Sequence, residues 1–314
     1  MRKILCLILA LMTAFAVVAC GSDGDDTESS VMPESSESVT EISKEESIPM
    51  EVTKTITNLN YKNYGRMGDL DGPAFAVYSK QGYTGATVKV DIANSEVNGK
   101  MTDGKAVNGY AFLGIDIYGD DGEWDNCIDA GLCWAGADEG WHIFYNMFKP
   151  LNPSTQTWYE SRVKLPYNDT YVMTFTTIDD NYALLTVRGE KFGASDSVKV
   201  EVKGAKKDGS NTAFLFNAAM DFPPDTMVDR NGNYCDDNWV EVVLANTDKN
   251  AYLRKLRVFD MKLLQADGKV DWTEDKNDAV SIWPTLSYPG MDYVCTKVDI
   301  YDGTEYYIDF DMNR

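Results

Sequence analysis

His142 is the one histidine among 314 residues, so a Ser-His-Asp or Cys-His hydrolase would hang on that side chain alone, and a multi-histidine metal site is impossible. Chemistry in this chain therefore falls to carboxylates, hard oxygens and aromatic rings. Asp229, Asn231 and Asn233, followed by Asp237, offer oxygens at alternate positions, as in the first half of a calcium loop. Tyr234 stands where an EF-hand needs glycine and Val240 where it needs glutamate, so a complete EF-hand is excluded. A partial, structural calcium site completed from another loop remains, beside the plainer reading of an Asx-rich turn, since Asn231-Gly232 signals a turn unaided. Asp120, Asp121, Glu123 and Asp125 form a comparable acidic loop.

Rings are the second resource. Eighteen tyrosines and seven tryptophans exceed what core filling requires, and rings beside carboxylates and amides suit stacking on sugars. The candidates for such a site are Trp134, Trp141, Tyr145 and Trp239, with Asp116 as the polar partner. A sugar-binding role expects two or more of Trp124, Trp134, Trp141, Trp158, Trp239 and Tyr145 to be open in a cleft. The alternative puts all of these rings in the core.

The elements that must carry them read as β-strands. From Val52 onward the pattern has period two, clearest over 87–92, 197–202 and 306–311. Further runs fall at 74–79, 110–118, 128–135, 141–148, 171–178, 182–188, 213–218, 239–245, 253–264 and 294–301. Asn98-Gly99, Asp103-Gly104, Asp208-Gly209, Asn231-Gly232 and Asp302-Gly303 punctuate them. About a dozen strands without alternating helices predict an all-β, antiparallel two-sheet sandwich over residues 51–314. One sheet is expected to be curved, with a concave side open to solvent. In the run 141–148, Trp141, Ile143, Tyr145 and Met147 share one face, and His142, Phe144, Asn146 and Phe148 the other. One face is expected in the core and the other on a groove.

Ahead of this domain, Arg2 and Lys3 precede an apolar run, Ile4 to Val18, too short for a membrane span. It ends Val17-Val18-Ala19-Cys20 and resembles a bacterial lipoprotein signal, which implies cleavage after residue 19, diacylation of Cys20, and an extracytoplasmic, membrane-anchored location. Residues 21–50 hold nine acidic residues, one lysine and many serines, the composition of a disordered, self-repelling spacer. Residues 51–314 keep 41 of the 50 acidic and 26 of the 29 basic residues, a net of −15 within the chain's −21. That charge argues against nucleic acid or an anionic membrane face as partner, leaving membrane contact to the lipid. Export also leaves Cys127, Cys133, Cys235 and Cys295 in an oxidising-permissive compartment. A bridge from Cys127 or Cys133 to Cys235 is expected, with unpaired buried thiols as the alternative.

Several segments in order resemble the glutamic peptidases, or eqolisins. They are Gly82–Val90, Phe112–Asp116, Ile128–Leu132, Trp141–Tyr145, Leu165–Thr176 and Cys235–Glu241. The resemblance implies a concanavalin A-like jelly roll and a carboxylate-based hydrolase. Its catalytic glutamine falls at Asp129, which when ionised donates no hydrogen bond to an oxyanion. Its catalytic glutamate corresponds to Glu241, which follows Trp239 by two residues rather than three and so points to the other strand face. Concanavalin A-like glucanases use an E-x-D-x-x-E pattern, and Asp116, Glu123 and Asp125 do not complete it.

Three readings follow. The first is a surface lipoprotein whose sandwich binds an extracellular ligand, a carbohydrate or a polypeptide, without catalysis. The second is a hydrolase using Glu241 with Asp129 or a nearby amide such as Gln156. The third is an envelope structural or protein-interaction domain.

Overall fold

The computed structural model describes residues 51–61, 72–99, 107–137, 140–221, 251–283 and 294–312. Two antiparallel sheets pack face to face, as the alternation predicts. The larger runs β1 (Lys54–Thr57), β16 (Thr296–Tyr301), β17 (Glu305–Asp311), β13 (Tyr252–Gln265), β3 (Gly85–Asp91), β9 (Thr170–Asp179), β10 (Tyr182–Gly189) and β11 (Ser195–Glu201). Two short strands, β4 (Glu96–Asn98) and β14 (Gly268–Asp271), also pair with β13. The smaller sheet has the order β15 (Asn277–Trp283), β2 (Ala74–Gln81), β12 (Thr212–Asp221), β5 (Asn108–Tyr118), β6 (Trp124–Trp134), β7 (Trp141–Met147) and β8 (Trp158–Glu160). Among the described residues helix is confined to one 3-10 turn, Glu274–Lys276, and no helix is long and apolar enough to cross a membrane.

The sheets differ in how their faces are spent. In β9, Tyr171, Met173 and Phe175 are buried while Val172, Thr174 and Thr176 between them are half-exposed, so the larger sheet has one core face and one wet face. Its wet face carries ion pairs such as Lys89–Glu190 at 2.7 Å, Arg257–Glu305 at 2.7 Å and Lys262–Asp260 at 2.9 Å. In β5, by contrast, every residue from Gly109 to Tyr118 is buried. Phe75 of β2 meets Tyr306 of β17 at 5.4 Å between ring centroids, which identifies the inner face. By register, Ala111, Leu113, Ile115, Phe214, Phe216, Ile128, Ala130 and Leu132 also point inward, all 0–1% exposed. The opposite, outer face of the seven-stranded sheet carries further buried side chains, Tyr110, Phe112, Phe144 and Leu215 among them, interspersed with polar ones.

Turn chemistry agrees with the sequence at the β16–β17 hairpin, where Asp302 and Gly303 take φ of 49° and 69°. Gly209 sits at φ 74°, and a Cβ there would lie 2.3 Å from the Tyr83 carbonyl oxygen, so only glycine fits. Cys127 and Cys133 occupy one face of the extended β6, and neither they nor Cys295 form a disulfide among the described residues. Cys235, their expected partner, lies outside those residues.

Candidate functional site

Strand registers sort the outer face of the seven-stranded sheet into rows running across the strands. One row reads Leu215, Gly114, Asp129, Asn146, Trp158, from β12 to β8. The next reads Ser281, Ala76, Asn217, Phe112, Gly131, Phe144, Glu160, from β15 to β8. A third places Ala219, Tyr110, Cys133 and His142 side by side. Neighbouring strands lie about 4.8 Å apart, so adjacent members of a row can touch one ligand.

Two glycines shape this surface. A Cβ at Gly114 would stand 2.6 Å from Asp129 Oδ1 and 2.8 Å from Leu215 Cγ. A Cβ at Gly131 would stand 2.4 Å from Phe112 Cα. The missing side chains let the Asp129 carboxylate lean over β5 and let β5 and β6 approach closely where the aromatic cluster begins. In that cluster Phe144 lies 5.1 Å from Tyr110, 5.7 Å from Phe112 and 5.4 Å from Trp158, the last pair stacked at 29°. Phe144 thereby holds one face of the Trp158 indole. Trp158, Asn146 and Asp129 are each half-buried, so an indole, an amide and a carboxylate are presented together on adjacent strands.

The third row ends in a buried polar group. Asn108 Nδ2 donates to the Tyr110 hydroxyl at 3.2 Å. Burial pushes the Tyr110 hydroxyl well above its ordinary pKa, with Cys133 and Asp221 adding to the rise. Burial likewise pushes the Cys133 thiol well up, and the Glu160 carboxylate adds to it. Although Cys133 faces His142 across β6 and β7, its thiol is thus held in the unreactive protonated form. His142 is 4% exposed, and its Nε2 lies 4.0 Å from Glu160 Oε1, beyond hydrogen-bond range. Among the described residues neither ring nitrogen has a hydrogen-bond partner, nor does Asn217 Oδ1 or Ser281 Oγ.

The nominated residues divide. Asp129 is on the outer face. Asp116 is on it too, diagonal to Asp129, but is 7% exposed and accepts a hydrogen bond from Trp124 Nε1 at 3.1 Å. Trp134 and Trp141, 3% and 0% exposed, belong to the inner face and the core, where they offer no ring to a solute. Trp134 Nε1 donates to the Tyr167 hydroxyl at 3.1 Å. Tyr145 also lies on the inner-face side, at the sandwich edge, stacked on Tyr159 at 5.2 Å and 17°. Glu241, Trp239, Cys20 and the calcium candidates Asp229, Asn231, Asn233 and Asp237 lie outside the described residues. In the acidic loop, Asp121 accepts the Glu123 N–H at 3.1 Å, while Lys206 and Lys149 pair with Asp120 and Asp125 at 3.2 and 2.9 Å. Among the described residues no three His, Cys, Asp or Glu side chains are grouped to hold a metal.

Solved structures similar to this chain include members of the family its segments resemble. One is scytalido-glutamic peptidase with a peptide-based transition state analog, at 12% identity, 77% of this chain, 100% of that chain and a TM-score of 0.44. Another is SCP-B, an eqolisin, in complex with the tripeptide Ala-Ile-His, at 12% identity, 77% of this chain, 100% of that chain and a TM-score of 0.43. Porphyranase B from Zobellia galactanivorans is similar at 11% identity over 55% of this chain and 63% of that chain, with a TM-score of 0.30. No protein-family model and no curated protein matches the chain. At these identities and scores, likeness carries no activity, substrate or residue role across.

Asn146 shares one face of the run 141–148 with His142, Phe144 and Phe148, and alternation alone does not say whether that face is core or groove. Trp158 sits on β8, whose three residues are too few to show alternation. The signal that places them is register: Asn146 is paired with Asp129 on one side and Trp158 on the other.

Proposed function

We propose that this protein is a surface-tethered lipoprotein whose β-sandwich binds an extracellular carbohydrate on the outer face of its seven-stranded sheet, without catalysis. The observation that supports this most is the row Asp129, Asn146, Trp158. A half-buried indole backed by Phe144 gives an apolar platform for a sugar ring. The adjacent amide and carboxylate supply donor and acceptor groups for its hydroxyls. Cys20 and the acidic residues 21–50 would hold the domain away from the bilayer, an unperturbed chain of that length spanning roughly 30 Å. Calcium, if bound at Asp229, Asn231, Asn233 and Asp237, would serve the sandwich structurally.

One observation favours a second reading, a carboxylate hydrolase: Asp116 and Asp129 share the outer face on neighbouring strands. Asp116, however, is buried and its Oδ1 already accepts the Trp124 indole N–H, which leaves it poorly placed to exchange a proton with substrate.

The test is titration of the purified full-length chain against a panel of oligosaccharides, with and without calcium, together with a search for cleavage products. Binding without turnover supports the proposal, and turnover abolished by Asp129→Asn supports the hydrolase. For the tether, Cys20→Ser should release the protein from the membrane fraction, and unchanged membrane retention would contradict it.

A further inference from the structure

The larger sheet ends in a strand whose outer backbone edge is open. β11 stands last in the strand order and pairs with β10 alone. The Gly189 N–H donates to the Ala194 carbonyl at one end of this hairpin and the Val202 N–H to the Asn181 carbonyl at the other, at 2.7 and 2.8 Å. Antiparallel pairing alternates bonded with outward residues, so the register between those two bonds turns the N–H and C=O groups of Ser195, Ser197, Lys199 and Glu201 away from β10. Among the described residues, only the Ser197 N–H of this set is engaged, by the Asp196 carboxylate at 2.8 Å. β15, an outermost strand of the same length, differs: the Tyr61 and Thr296 hydroxyls donate to its Val280 and Trp283 carbonyls at 3.5 and 3.0 Å. The remaining outermost strands, β1 and β8, have four and three residues.

Two opposite charges on this edge also lack ion-pair partners among the described residues. Lys89, Arg254, Arg257, Lys262 and Lys297 of the same sheet each pair with a carboxylate of the chain. Lys199 is exposed and meets the Tyr182 ring instead, its ammonium 4.1 Å from the centroid. Glu201 accepts the Thr155 hydroxyl at 3.4 Å. Lys199 and Glu201 stand two positions apart and so on one face of the strand. An open edge accepts any extended strand, and a charge on it selects the strand that brings the opposite charge to the same row.

We propose that β11 is a dimerisation edge, which pairs antiparallel with β11 of a second copy about a twofold axis at Val200. Backbone groups meet only when outward residues of one strand oppose outward residues of the other, so the axis must fall on a residue rather than between two. Centred on Val198, the pairing sets Lys199 against the partner's Ser197; centred on Lys199, it sets that lysine against its own copy. Centred on Val200, it sets Lys199 against the partner's Glu201 and Glu201 against the partner's Lys199, so the symmetry makes the ion pair twice. Both of those pairs exchange two backbone hydrogen bonds, and on the inner side Val200 meets its own copy while Val198 meets the partner's Val202. The two ten-stranded sheets then run on as one. This inference stands independently of the carbohydrate reading.

The experiment is sedimentation velocity over a concentration series of the full-length chain carrying Cys20→Ser, so that no lipid drives association. A concentration-dependent dimer is expected, weakened by added salt. Lys199→Glu and Glu201→Lys each set like charges opposite one another and should weaken the dimer about tenfold or more. The double variant Lys199→Glu/Glu201→Lys sets opposite charges against each other again and should recover most of the lost affinity. That recovery also shows that the substitutions leave the strand folded. A monomer at every concentration overturns the proposal. A dimer that either single substitution leaves intact, or that the double variant fails to restore, overturns it too, because the contact then lies elsewhere on the chain.

Discussion

Asp129 and Trp158 stand on the same face of the seven-stranded sheet with one strand between them, and that strand contributes Asn146 to the gap. Truncating Trp158 to alanine should weaken oligosaccharide binding by about 1–2 kcal/mol, roughly tenfold, and Asp129→Asn should weaken it comparably. Trp141→Ala behaves differently. That ring is 0% exposed on the inner face, so its loss should cost about 3–5 kcal/mol of stability. Thermal melts beside binding isotherms separate the two effects.

The division between Trp158 and Trp141 marks how far the sequence could be read. Period two in β7 separated His142, Phe144 and Asn146 from Trp141, Ile143 and Tyr145. Both sets contain aromatic residues, so alternation alone could not say which set faces the other sheet. That was decided by long-range pairing, through Phe75 against Tyr306 and the register from β2 to β7. The sandwich itself was legible because long strands such as β9 and β13 repeat buried and exposed positions many times. Strands β1, β4, β8 and β14 have three or four residues each, and β15 mixes exposed and buried positions without clean alternation. None of those five was read from sequence.

Gly131 holds the aromatic half of the face together. Its substitution by alanine drives a Cβ to 2.4 Å from the Phe112 backbone, which flexible side-chain motion cannot relieve. Gly131→Ala should therefore destabilise the fold by about 1–3 kcal/mol, as overpacking does, and reduce binding by displacing Phe112 and Phe144. A denaturation midpoint equal to that of the wild type would contradict this account of the glycine.

Acid should act through Asp169. This carboxylate is 1% exposed and accepts the backbone N–H groups of Thr170 and Lys191 at 2.8 Å and of Phe192 at 3.1 Å. Burial works to raise its pKa, but those hydrogen bonds outweigh it and hold the group below its ordinary value. A carboxyl lowered by folding stabilises the protein fully above the unfolded value, about 3.9, and loses that contribution as pH falls through the folded value. Asp169→Asn should cost about 2 kcal/mol at neutral pH. The cost should vanish at pH values below the folded pKa, as checked by urea titrations across the acid range.

Thiol chemistry offers an independent check on β6. Cys127 is half-buried, whereas Cys133 and Cys295 are 1% and 0% exposed. Burial also keeps the Cys133 thiol protonated. Under native conditions an alkylating reagent mapped by peptide mass spectrometry should reach Cys127 first, and Cys133 and Cys295 only on unfolding. A Cys133 adduct formed at the rate of Cys127 would show that the outer face is open at its third row.

Carbohydrate binding on the row Asp129, Asn146, Trp158 is the central claim, and a titration of full-length wild type and Trp158→Ala with one panel of oligosaccharides tests it most directly. Saturable binding of at least one oligosaccharide is predicted, weakened about tenfold in the variant, with the melting temperature lowered far less than in Trp141→Ala. Binding that is identical in wild type and variant, or absent in both, would contradict it.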